Sequence, residues 1–169
     1  MPTRWIKLLM TPRLESLSEK KLVGRRTLMS FAENKTYELW KNFMPKRKEI
    51  PNRLGTDLYS VEVYPPLFFE KFDPAAEFEK WAAVEVTGFE NVPQAMETLV
   101  VPAGRYAVFI HKGPAGDGPK TYGYIFNSWL PNSEFLLDAR PHFAVMGNKY
   151  RQDDKDSEEE IWIPVRPKL

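Results

Sequence analysis

The feature that most constrains this chain is a pattern of blocks that occurs twice in the same order, because a recurring order defines the unit from which the fold is built. Gly24-Arg25-Arg26-Thr27-Leu28-Met29-Ser30 has a counterpart in Gly104-Arg105-Tyr106-Ala107-Val108-Phe109-Ile110, and each reads as the start of a strand. Downstream, Thr36-Tyr37-Glu38-Leu39-Trp40-Lys41-Asn42-Phe43-Met44-Pro45 is answered by Thr121-Tyr122-Gly123-Tyr124-Ile125-Phe126-Asn127-Ser128-Trp129-Leu130-Pro131. Leu39, Trp40, Phe43 and Met44 fall at helical spacing, as do Tyr122, Ile125, Phe126, Trp129 and Leu130, so each segment buries one apolar stripe. Pro45 and Pro131 are expected to stop these helices.

Each helix is followed by a polar connection and two strand candidates rich in aromatic and β-branched residues: Leu58–Tyr64 with Trp81–Val86, then His142–Met146 with Glu160–Val165. The unit is strand, helix, strand, strand. It predicts an α+β fold of two such modules, about residues 20–87 and 97–168, within one domain spanning 1–169, with Thr87–Glu97 as the joint. A two-fold-like arrangement of antiparallel sheets leaves a groove between the copies for a ligand. Thr11–Glu19 reads as a loop or an extra strand, and Asp73–Trp81 as a short helix capped by Asp73 with Pro74 in its first turn. Residues 150–160, nearly all charged, read as a solvated hairpin loop.

Composition narrows the function. With 24 Lys+Arg against 23 Asp+Glu, the net charge of +1 provides no global field for nucleic acid or an anionic membrane. The absence of cysteine removes thiolate nucleophiles and sulfur-ligated zinc, and fits a reducing compartment, so a cytoplasmic location is expected. Met1 to Met10 is too short and charged for a secretory core, and no stretch approaches the roughly 20 apolar residues of a membrane span. A soluble monomer or weak homodimer, without metal or cofactor, is the expected state.

Constellations for bond chemistry are sparse. His111 and His142 are the two imidazoles, and neither lies in a nucleophile motif; His111 reads as a strand-end residue and His142 as a structural one. The acidic run from Asp153 to Glu160 lacks the glycine and the ligand spacing of a calcium loop. Gly113-Pro114-Ala115-Gly116-Asp117-Gly118 matches no phosphate-binding pattern, and the clusters Arg25-Arg26 and Lys46-Arg47-Lys48 have no recognition helix beside them. What remains is a set of aromatics on strands, Tyr59, Tyr64, Trp81, Phe109, Phe143 and Trp162, interspersed with Glu62, Glu85 and Glu160. Strand alternation sends some of them to one face, where rings and a carboxylate hold a flat cation or heteroaromatic.

Several runs together resemble the gyrase-inhibitor-like, AraC-type effector-binding family: Arg140-Pro141-His142-Phe143, Trp129-Leu130-Pro131-Asn132-Ser133, the Gly104–Ile110 strand continued by His111-Lys112-Gly113, and the closing Glu158-Glu159-Glu160-Ile161-Trp162-Ile163-Pro164. The first half, through Phe78-Glu79-Lys80-Trp81, is similar to the family's stand-alone branch, which has no DNA-binding part. The resemblance implies two modules related by a pseudo-two-fold about a ligand cleft, in proteins that bind lipophilic cations and drugs or, in some members, hydrolyse cyclopropane-bearing genotoxins. It also implies a cleft glutamate on the strand after Pro-His-Phe, where this chain has Ala144; Glu160, or Glu62 in the first copy, is the expected substitute.

Two readings follow. In the first, Tyr59, Trp81, Phe109, Phe143 and Trp162, with Glu160, Glu62 and the Ala144 position, line a cleft that captures a hydrophobic, drug-like molecule without reaction. In the second, Glu160 or Glu62 is the general base of a hydrolase acting on an electrophilic ligand. Engagement of a macromolecule such as a gyrase ranks below both.

Overall fold

The computed structural model describes residues 11–169, so the expectation for Met1–Met10 lies outside the described residues. The described residues form nine strands and two main helices: β1 (Arg13–Leu17), β2 (Lys20–Met29), α1 (Thr36–Phe43), β3 (Arg53–Val63), β4 (Phe78–Val86), β5 (Glu97–Val101), β6 (Gly104–Lys112), α2 (from Gly118), β7 (Phe135–Leu137), β8 (His142–Met146) and β9 (Glu158–Pro167). The strands run in the order β1-β6-β9-β8-β3-β4-β2-β5, with β7 on β9, and every pairing is antiparallel. Each half therefore has the same connectivity, β3-β4-β2 and β8-β9-β6, and the halves join through β3 and β8.

The chain links make this sheet curl. β1 lies on β6 at one end, yet only Ser18 and Glu19 separate it from β2, six places along the order. Six strand spacings in a flat sheet amount to about 29 Å, whereas the three Cα steps from Leu17 to Lys20 reach about 11 Å. Pro102 and Ala103 impose the same restriction between β5 and β6. The sheet is thus a trough with an inner and an outer face.

Alternation sorts the side chains between these faces. Leu22, Tyr59, Val61, Trp81, Ala83, Val101, Tyr106, Val108 and Phe143, contributed by both halves, form the inner core. On the outer face Val23, Ala82, Val84 and Val86 pack under Leu39 and Phe43 of α1, while Ala107, Phe109, Ile161, Ile163 and Val165 pack under Ile125 of the α2 segment. The leading glycines of the two repeat blocks have a steric cause: a Cβ on Gly24 comes 2.0 Å from the Ala82 carbonyl oxygen, and one on Gly104 comes 2.2 Å from the Arg140 guanidinium.

Three local expectations are corrected. Pro131 does not stop its helix: α2 proper, Gly118–Tyr124, runs through a wide π turn at Ile125–Trp129 into Leu130–Asn132, so the proline enters at the start of a new segment, where its missing N–H costs little. Pro45 likewise sits in the first turn of a tight 3₁₀ helix, Met44–Glu49, that extends α1. Asp73–Trp81 forms no helix; Asp73 accepts from the Ala75 and Ala76 amides at 2.9 and 3.0 Å to close one turn, and β4 begins at Phe78, because Phe78 and Trp81 bury on opposite faces. Of the two readings of Thr11–Glu19 the structure takes the extra strand, β1, and two further strands, β5 and β7, arise where no apolar alternation announced them.

Candidate ligand-binding face

Five rings meet on the inner face: Tyr59 of β3, Trp81 of β4, Tyr106 of β6, Phe143 of β8 and Trp162 of β9. Phe143 is their hub, with ring centroids 5.9 Å from Tyr59, 5.3 Å from Tyr106 and 5.3 Å from Trp162, the last pair stacked within 15°. β8 and β9 set that stack by placing Phe143 directly opposite Trp162. Tyr106 is fully buried, and its hydroxyl donates to the Pro141 carbonyl at 2.8 Å. Removal from water pushes the Tyr106 phenol up to about 12 and raises that of Tyr59.

Charged side chains frame the rings. The indole N–H of Trp81 donates to Glu79, and that of Trp162 to Glu160, each at 3.0 Å and each within a Glu-x-Trp segment whose i and i+2 residues share a face. Arg26 lies 3.7 Å from Glu79 and 3.0 Å from Glu97, while Arg13 reaches Glu160 at 2.9 Å and Glu15 at 2.8 Å. Lys20 pairs with Glu85 at 3.0 Å, and Glu85 also accepts from the Tyr59 hydroxyl at 3.3 Å. Three of the rings have a cation over them: Arg13 over Trp162 at 5.8 Å, Lys20 over Tyr59 at 5.3 Å and Arg140 over Tyr106 at 4.7 Å. A hollow of about 370 Å³ opens beside Glu160, between Asp57, Ile110, Val145 and Glu158. A second one of about 410 Å³, around Ile50–Thr56, lies away from the rings.

The structure brings Tyr59, Trp81, Phe143, Trp162 and Glu160 to this face and sends three expected residues to the other. Phe109 packs edge-on against Trp129 at 5.1 Å beneath the helix. Glu62 follows Val61 on β3, so it points outward and forms a buried ion pair with Lys80. Ala144 alternates with Phe143 and therefore faces the helix side, so an alanine there takes no carboxylate from the inner face. Tyr106, Arg13, Lys20, Glu79 and Arg140 escaped the sequence reading. Of these only Glu79 had a local signal, the doubled Glu-x-Trp spacing at Glu79–Trp81 and Glu160–Trp162, which places each acid on the same face as its tryptophan.

The histidines lie on the outer side. His111 is buried, with Nδ1 2.7 Å from the Thr121 hydroxyl and Nε2 3.0 Å from the Pro114 carbonyl. A carbonyl cannot donate, so Nε2 carries a proton and donates it to Pro114. His142 is held by rings, edge-on to Tyr64 at 4.8 Å and stacked on Phe69 at 5.8 Å, and burial pushes its pKa down to about 3. Burial also raises the Glu159 carboxyl. Among the described residues no group of three His, Asp or Glu is placed to hold a metal, and no helix is long and apolar enough to cross a membrane.

The BrlR transcriptional regulator of Pseudomonas aeruginosa is 29% identical over 129 residues, which is 76% of this chain and 45% of the regulator. A DNA gyrase inhibitor of Erwinia billingiae is 30% identical over 98 residues, 54% of this chain and 61% of that protein. The matches thus span about half the length of these relatives. Among solved structures, SAV2435 bound to tetraphenylphosphonium superposes with a TM-score of 0.70 at 13% identity over 92% of this chain and 93% of that one, which establishes a shared fold. The family described as the GyrI-like small molecule binding domain matches residues 10–166, and this chain belongs to it.

Proposed function

We propose that the protein captures a hydrophobic aromatic molecule on the inner face of its sheet, at the junction of the two halves, with entry through the hollow beside Glu160. One observation carries this reading: rings from both halves converge on a single face, and the outermost, Trp162, is only partly buried while stacked on the hub ring, Phe143. A flat ligand gains stacking of about 0.5–1.5 kcal/mol per ring pair beyond the area it buries. The family's small-molecule description and the tetraphenylphosphonium held by SAV2435 support the ligand class.

The hydrolytic alternative has less behind it. Glu62 is on the outer face, tied to Lys80, and Glu160 is ion-paired with Arg13, so each candidate base is already engaged by a cation of the chain.

The reading is tested by fluorescence titration with a panel of aromatic compounds on the wild type and on Trp162→Ala. The expected result is saturable quenching that Trp162→Ala weakens at least tenfold. Equal affinity in the two proteins sinks the proposal.

A further inference from the structure

An aromatic ring beside a carboxylate is the usual seat for a cation; of the three such pairs on this face, Trp81 with Glu79, Trp162 with Glu160 and Tyr59 with Glu85, the last two have a cation over the ring. Both already contain a cation belonging to the chain itself. Arg13 lies over the Trp162 ring while bonded to Glu160, and Lys20 lies over the Tyr59 ring while paired with Glu85. We propose that Arg13 is a built-in, displaceable occupant of the cation seat beside the ligand hollow, so that this protein discriminates against aromatic cations in favour of uncharged aromatic ligands. The inference rests on the proposed use of the inner face and adds the charge of the molecule it accepts.

The two seats differ in how firmly they are filled. Lys20 and Glu85 are well buried, with 16% and 20% of their side-chain surface exposed, whereas Arg13 and Glu160 expose 44% and 35%. Water screens the second pair, so it is the one an incoming group can exchange. Arg13 also sits on an edge strand and contacts Glu15 in addition to Glu160, so it keeps one carboxylate when it gives up the other. Glu160 lines the hollow, so the seat opens onto the entry path. An uncharged ring stacks on the Trp162 edge without breaking the pair. A cation must first evict Arg13.

The test uses tetraphenylphosphonium as the cation and N-phenyl-1-naphthylamine as the uncharged probe, titrated against the wild type, Arg13→Gln, Arg13→Lys and the double variant Arg13→Gln/Glu160→Gln. Freeing the seat is expected to tighten tetraphenylphosphonium about tenfold in Arg13→Gln, the range of a desolvated cation–π contact with its carboxylate. The gain disappears in the double variant, and Arg13→Lys, which refills the seat, stays within about twofold of the wild type. Unchanged or weaker tetraphenylphosphonium binding by Arg13→Gln, in a protein whose melting curve remains cooperative, overturns the inference. If the uncharged probe binds the wild type in that case, the inner face keeps its proposed use and the role of Arg13 alone falls. If neither probe binds any of the four proteins, both fall.

Discussion

The inner and outer faces of the sheet are made from alternate residues of the same strands and both carry aromatic rings, yet they are finished in opposite ways. Outside, Phe109 is sealed beneath Trp129 of the α2 segment, and His142 is caged by Tyr64 and Phe69 and kept neutral. Inside, no helix among the described residues packs on the rings; Arg13, Lys20 and Arg140 lie over them, and the carboxylates of Glu160 and Glu85 balance the first two. A helix lid must unfold to admit anything. A side-chain lid exchanges one contact for another, so the proposed use of the inner face requires no unfolding.

The sharpest break of this comparison sets one ring from each face against the other. Phe109→Ala empties a site that is 1% exposed and is expected to cost about 3–5 kcal/mol of stability, read from urea unfolding, while leaving the ligand affinity of the folded protein unaltered. Trp162→Ala, at a half-open position, is expected to cost about 1–2 kcal/mol and to remove most of the affinity. If Phe109→Ala weakens binding as much as Trp162→Ala, the two faces do not divide the work as described.

His142 gives the outer face a pH signature of its own. Its pKa is about 3 in the folded protein against an ordinary 6.5, so above pH 6.5 both states are neutral and the histidine adds no slope. Below 6.5 the unfolded chain takes up a proton that the folded one refuses, and stability falls by about 1.4 kcal/mol per pH unit until the pH nears 3. Glu159, whose folded carboxyl is raised, acts in the opposite direction, since it binds its proton earlier when folded. The difference between the wild type and His142→Phe isolates the histidine: the variant is expected to lose less stability between pH 6.5 and 4.5, by about 2 kcal/mol. Parallel profiles would show that the ring cage admits a charged imidazole.

Much of the fold and part of the face were legible in the sequence. Four of the expected rings and Glu160 do lie together, because their strands carry dense apolar alternation that leaves one register open to them. Phe109 was misplaced because the repeat blocks fix order but not parity: Tyr106 and Phe109 are three residues apart on β6, so they must face opposite ways, and only the pairing of β6 with β9 decides which is inside. β5 went unseen because its partner, β2, belongs to the other module, and local pattern says nothing about a distant partner. The cations were invisible for a related reason. Arg13 and Lys20 read as ordinary solvated charges until the curl of the sheet brings them over Trp162 and Tyr59.

The smallest of the expected effects concerns the floor of the inner face. The Tyr106 hydroxyl donates to the Pro141 carbonyl, which ties β6 to the residue just before β8, and Arg140 lies over the same ring while donating to the Arg105 and Val165 carbonyls at 2.7 and 3.2 Å. Tyr106→Phe keeps the ring and its contact with Phe143 but leaves the Pro141 carbonyl without this donor, at a cost of about 1–2 kcal/mol. The rest of the inner face stays in place, so the affinity for an uncharged aromatic ligand is expected to remain within about twofold of the wild type. Calorimetric unfolding and the same fluorescence titration read both quantities. A stability loss near zero together with a large loss of affinity would mean that the hydroxyl serves the ligand and not the floor, and that the boundary between the packed and exchangeable parts of this face lies deeper than Trp162.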